Sequence, residues 1–136
     1  MGRRGTAALN SAVTFNPWRQ LRRRATDDVL VPRLRWCDSF FCRLRGLTGR
    51  CALAPGEGLV LVEAADSRLA TAIHMFFVNF SIAVIWVDTA GRVVDTRLAR
   101  PWRPLYVPRA RARYVVEAEP ELLERVKIGD EVEFAQ

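Results

Sequence analysis

A chain of 136 residues and 15.4 kDa has room for one domain that buries roughly two-thirds of its unfolded surface, and not for two separate cores. Half of its residues are hydrophobic and 26% are charged, a balance that excludes a disordered chain. The formal charge of +6 is uneven: residues 1–50 hold eleven Arg against three Asp, for +8, and residues 51–136 hold ten Lys or Arg against twelve acids, for −2. Lysine occurs once, at Lys127. Because a GC-rich bacterial genome produces the same Arg and Ala bias, the excess charge reads first as a solvated surface and only second as a nucleic-acid surface.

Residues 1–15 read as a flexible tail, leaving 16–136 as a single β-rich domain. The N-terminal stretch is basic but has no apolar run suited to a signal peptide, which points to the cytoplasm. "PWRQLRR" and "DVLVPRLRWC" pattern as two strands around an "ATDD" turn, with Pro32 marking an edge or a bulge. Asp38 or Ser39 can cap a short helix over "FFCRLR", and Gly46 suits its left-handed stop. Arg43 and Arg45 then fall at the carbonyl end of that helix, where the macrodipole favours cations. Cys37, Cys42 and Cys51 are an odd number without a Cys-x-x-Cys pair. The expectation is small core residues in a reducing compartment, with neither a disulfide framework nor a zinc site.

"PGEG" is a turn feeding the strand "LVLVE". The uncharged stretch over residues 69–87 is long enough to span a membrane. Thr71, His74, Asn79 and Ser81 interrupt it, and its β-branched and aromatic content favours two buried strands, "TAIHMFF" and "IAVIWVD", joined at "VNFS". "IAVIWV" does not alternate, so that strand is covered on both faces. "DTAG" turns the chain into "RVVDTRL" as a hairpin. Pro101, Pro104 and Pro108 make an extended loop; beyond it Arg109, Arg111 and Arg113 alternate at period two as an arginine face leading into "YVVEAE". "PELLERVK" has the charge order and apolar spacing of a compact helix, with Leu122, Leu123 and Val126 inward. "DEVEF" closes the chain as a strand.

The order of these motifs resembles that of the domain of unknown function 192 family of bacteria and archaea. Its Arg-Gly-Leu turn is matched by Arg43, Arg45, Gly46, Leu47 and Arg50, and its Gly-Glu-Gly turn by Gly56, Glu57 and Gly58. Ile73, His74, Phe76 and Phe77 match its His-containing strand, Asp88 and Gly91 its hairpin, Glu117 its Leu-Glu strand, and Gly129 with Asp130 its closing turn. The match runs over about residues 18–134. The resemblance implies a mostly β (α+β) domain: a partly closed, barrel-like mixed sheet with two short helices. It implies no reaction. Where the family usually carries Asp after its His-containing strand, this chain has Ala83, and Glu119-Pro120 replaces a usual glycine.

The candidate ligand-binding residues are Arg43, Arg45 and Arg50, with Glu57 and His74. Guanidinium forks and the N–H groups of a glycine turn suit a carboxylate or phosphate; the plainer role is pairing with Glu57 or Glu117 to hold the turn against the sheet. His74 is the only histidine, and in an apolar strand it suits a core role donating to a carbonyl. The leading reading is a non-catalytic binding or accessory domain for an anionic small molecule or a protein, without cofactor, metal or membrane span. An enzyme with a small polar cleft near His74 and Glu57 is the second. A basic nucleic-acid module using Arg109, Arg111 and Arg113 beside Trp102 and Tyr106 is the third.

Overall fold

The computed structural model describes residues 16–47, 52–75 and 78–136 and, within its α-helix, the side chains of Cys42, Arg43 and Arg45 only. The segment 1–15, together with Arg50, Cys51, Phe76 and Phe77, lies outside the described residues. In chain order the elements are β1 (Trp18–Arg23), β2 (Val29–Cys37), α1 (Phe40–Arg45), β3 (Glu57–Ser67), β4 (Ile82–Val87), β5 (Val93–Ala99), β6 (Ala112–Ala118), a 3-10 turn (Pro120–Glu124) and β7 (Val132–Ala135). The seven strands form one sheet in the order β5-β4-β6-β3-β2-β1-β7. The β2–β3 pair is parallel and the rest are antiparallel. A parallel pair needs a crossover, and α1 lies in that connection.

The sheet curls into a half-barrel. Its two edges meet at one end, where Arg92 bridges Glu131 and Val93 N–H donates to the Asp130 carbonyl at 2.8 Å. The period-two pleat then sorts apolar side chains onto two faces. Val60, Ala83, Ile85, Val116 and Ala118 line the inner face with Leu21, Leu34 and Leu122. Leu59, Ile82, Val84, Trp86 and Val115 line the outer face beneath Ile73, Met75 and Val78. β4 is buried along its whole length because both faces are covered, and each such Val or Ile contributes about 1.5–3 kcal/mol by leaving water. Gly58 is required by close approach: a Cβ there would lie 2.8 Å from the Glu117 carbonyl oxygen and 2.9 Å from Leu34 Cδ2.

Local chemistry explains several boundaries. Ser39 caps α1, its hydroxyl accepting the Cys42 N–H at 3.2 Å, and Gly46 leaves the helix at a φ of 49°. Pro32 lies in an interior strand, not at an edge. It is tolerated because pairing with β3 starts one residue later, at Arg33, and the β1–β2 register shifts nearby.

Four expectations are corrected. Helix is scarcer than two short helices: α1 has six residues, and "PELLERVK" forms only the five-residue 3-10 turn, with Leu122 N–H donating to Glu119 and Arg125 N–H to Leu122. The chain there must reach Gly129, whose N–H donates to Val93, so the tighter helix is what the short span allows. "TAIHMFF" is not a strand of the sheet. Its described part, residues 71–75, crosses over the outer face, joined to residues 102–106 by an isolated bridge between Ile73 and Tyr106. The arginine ladder is cut short, since β6 begins at Ala112 and contains only Arg113. Finally, Cys37 and Cys42 form a disulfide, with Cα atoms 5.5 Å apart, because the two-residue link from β2 folds the first turn of α1 back onto the strand end. Among the described residues no helix is long and apolar enough to cross a membrane.

Candidate functional site

The outer face is roofed by irregular chain, and the roof leaves a gap. A cavity of about 70 Å³ opens between the C-terminal end of α1, the 72–75 segment and the middle of the sheet. Its floor carries Glu117. β6 presents this residue on the outer face between Leu59 of β3 and Val84 of β4, so the carboxyl stands in the centre of the sheet. Glu117 is only 6% exposed. Its carboxyl opens into the cavity and, among the described residues, makes no ion pair. Burial pushes it up from 4.5 to about 7, because removal from water penalises the charged form and nothing compensates.

The mouth carries Arg43, Arg45, Gly46 and His74. Arg43 is spoken for: its guanidinium donates to Glu63 Oε2 at 3.0 Å and to the Val62 carbonyl at 3.1 Å, bracing α1 on β3. Arg45 is exposed and, among the described residues, has no ion pair with Glu57, Glu117 or any other acid. His74 is exposed at the rim rather than inside the core. The apolar walls include Leu47, Ile73, Met75 and Ile82.

The residues grouped from the sequence therefore divide. Arg43, Arg45 and His74 meet at the small cavity. Glu57 instead lines a wider one of about 590 Å³, with Trp18, Arg33, Arg35 and Cys42, which shares only Arg45 and Gly46 with the first. Arg33 stacks over the Trp18 ring there, 4.1 Å from its centroid. Arg50 lies outside the described residues. The arginines once aligned as a nucleic-acid face are dispersed: Arg109 leans on Asp95 at 3.7 Å, and Arg113 Nε donates to the Glu63 carbonyl at 2.9 Å. Arg111 is exposed ahead of β6.

In the sequence Glu117 reads only as a possible structural partner of the arginines, not as a candidate ligand-binding residue. The available signal was a carboxylate inside the apolar run "VVEA", where a charge needs a partner or a purpose. Glu63 was missed as the partner of Arg43. Ala83, by contrast, lies on the inner face at 0% exposure. The substitution at that position therefore leaves the cavity lining untouched.

With the geometry in place, comparisons with known proteins add family and fold. The DUF192 family, described as "Uncharacterized ACR", matches residues 22–134. A UPF0127 protein of Thermococcus sibiricus is 40% identical over 110 residues, covering 78% of this chain and 68% of that protein. A UPF0127 protein of Pyrococcus horikoshii is 39% identical over 103 residues, covering 74% and 86%. These relatives are archaeal, whereas the composition reads as bacterial. A crystal structure of a putative transcription regulator from Sinorhizobium meliloti superposes with a TM-score of 0.72 at 16% identity, covering 86% of this chain and 92% of that one. A protein of unknown function from Novosphingobium aromaticivorans does so with a TM-score of 0.70 at 19% identity, covering 85% and 83%; at these identities the likeness is one of fold. The strands, turns and relatives agree, and the chain belongs to the DUF192 family, that of the UPF0127 proteins.

Proposed function

We propose that this protein is a binding domain for a small molecule that carries an anionic group beside a hydrogen-bonding group. The anion sits on Arg45 at the cavity mouth, and the second group reaches Glu117 on the floor. The observation that carries this reading is the Glu117 carboxyl, 6% exposed, opening into the same cavity as Arg45, with neither group in an ion pair among the described residues. A carboxyl that opens into a largely apolar cavity gives a ligand one directional hydrogen bond there. The apolar walls supply desolvation and the two polar groups supply orientation.

The test is a thermal-shift screen of purified protein against small carboxylates and phosphorylated metabolites, repeated with Arg45→Gln. A ligand at about one hundred times its dissociation constant adds roughly 2.7 kcal/mol, a shift of several degrees. The expected result is a hit that Arg45→Gln abolishes while the unliganded protein melts as before. Hits that survive the substitution would remove Arg45 from the site.

A second reading follows from one further observation. The carboxyl that shares the cavity with His74 is Glu117, not Glu57, and at about 7 it is poised as a general acid or base needs to be. Incubating any hit with the protein and looking for a product separates binding from turnover.

A further inference from the structure

From Thr96 to Val116 the chain carries six arginines and no acidic residue, a charge equal to that of the whole protein. The fold separates five of them into two groups and leaves Arg111 exposed ahead of β6. Arg109 and Arg113 lean on Asp95 and on the Glu63 carbonyl. Arg97, Arg100 and Arg103 instead converge on a groove of about 420 Å³ beside edge strand β5, whose other wall is Pro104, Leu105 and Tyr106. All three arginines are exposed, no acidic residue lines the groove, and among the described residues none of the three makes an ion pair or a side-chain hydrogen bond. Three cations held together without counter-charge create a local positive potential that draws in a polyanion.

The groove is also preformed. The Tyr106 hydroxyl accepts the Arg100 N–H at 2.9 Å, and the Trp102 indole donates to Asn79 at 2.9 Å. Met75 both accepts from Trp102 N–H and donates to the Arg103 carbonyl, each at 2.9 Å. A loop fixed in this way loses little entropy when something binds to it. Leu105 remains 62% exposed and Trp102 50% exposed, so the cations have apolar and aromatic surface beside them.

We propose that this groove docks single-stranded nucleic acid, its phosphates on Arg97, Arg100 and Arg103 and a base against Leu105 and Tyr106. A repeating charge one sugar away from a flat apolar ring fits a wall of cations facing an apolar wall. A duplex keeps its base faces stacked and out of reach of such a wall. A bilayer is a poorer match because insertion needs a protruding apolar surface, whereas Pro104, Leu105 and Tyr106 line a concavity. An acidic peptide dense enough in charge to engage three arginines brings no ring for the apolar wall.

The experiment is fluorescence anisotropy of a labelled oligothymidylate titrated with the full chain over a series of salt concentrations. Three phosphate contacts give a slope of log K against log salt of about −2, since each contact on a single strand contributes about −0.7. The triple variant R97Q/R100Q/R103Q should lose at least tenfold in affinity and bring the slope near zero, with an unchanged melting temperature. Should the triple variant melt lower, Arg100→Gln alone should still reduce the slope by about 0.7. Arg45→Gln, which does not touch this groove, should bind the oligonucleotide like the parent, so failure of the small-ligand reading leaves this test intact. The idea is overturned by no binding at low salt, by a parental slope in the triple variant, or by anionic vesicles or polyglutamate binding in place of the oligonucleotide.

Discussion

The two faces of the half-barrel bury similar apolar side chains under different covers. The inner face is enclosed by strands from all parts of the chain and by the 3-10 turn, and its cluster is wholly apolar. The outer face is roofed by α1 and by the irregular 72–75 and 102–106 segments, which bond to each other rather than to the sheet. The inner side has a pocket of its own, of about 190 Å³, lined by Leu30, Val31, Ala118 and Leu122, whereas the loops of the outer cover satisfy their own backbone groups and leave space where they do so. Two of the three buried polar residues among those described are satisfied locally. Thr71 donates to the Ser67 carbonyl, and Asp95 accepts the N–H groups of Thr96 and Arg109. Glu117, under the gap in the roof, is left without such a partner. The cavity with the buried carboxyl lies where the cover is irregular.

The strongest way to break that comparison is to cut the same strand on its two faces. Ile85 and Trp86 are neighbours on β4, both at 0% exposure, one inward and one outward. Ile85→Ala should cost about 2–5 kcal/mol and Trp86→Ala about 3–5 kcal/mol in denaturant unfolding. Trp86 also donates its indole N–H to the Thr71 carbonyl at 2.8 Å. Its loss should therefore speed hydrogen exchange at Ile73 and Met75, while Ile85→Ala leaves their exchange slowed as before. Equal acceleration in both variants would show roof and sheet opening as one unit.

A smaller effect sharpens the comparison through pH. Glu117 is raised in the folded state, from 4.5 to about 7. Between those values the folded chain holds a proton that the unfolded chain has released, so stability falls as pH rises through that window and is flat above it. The loss is on the order of 3 kcal/mol. Glu117→Gln should remove most of this slope and leave the variant more stable than the parent at pH 8. A parental slope in the variant would mean that the carboxyl is solvated.

The smallest effect lies at the seam where the sheet edges meet. Asp130 is held below the usual carboxylate range by the Lys127 N–H, at 2.9 Å, and by Arg23, at 2.8 Å. Its sign is opposite: the stabilisation is present above the unfolded value and is lost as pH falls through the lowered one. Asp130→Asn should cost about 1 kcal/mol at neutral pH and flatten the acid limb of the stability curve. The closed seam and the open cavity then contribute pH slopes of opposite direction in one protein.

The strands were legible in the sequence where pattern and turn chemistry agreed. The "ATDD" and "DTAG" turns and the all-apolar "IAVIWV" each mark a strand that forms. The roof was not legible, because "TAIHMFF" has the composition of a strand and only the absence of a free sheet edge beside it decides otherwise. Helical periodicity in "PELLERVK" is genuine, but distance to the next anchored residue overrides it. Of the candidate site, Arg45 and His74, picked out by residue type, both line the small cavity. Glu117 and Glu63 act through positions that depend on strand pairing across the sheet, which no local window contains. The disulfide was hidden by an odd cysteine count, since Cys37 and Cys42 are brought together by a turn and not by a recognisable spacing.

The antiparallel pairing of β1 with β7, Gln20 opposite Ala135, ties the two ends of the described chain to each other. The sheet cannot be completed from one end of the sequence toward the other: until residues 132–135 have been synthesised, β1 presents an open row of backbone donors and acceptors on its outer side. With the parallel β2–β3 pair adding a second long-range closure, folding here belongs to the slow, high contact-order class. A ribosome-bound intermediate would carry that exposed edge for as long as the last strand is delayed.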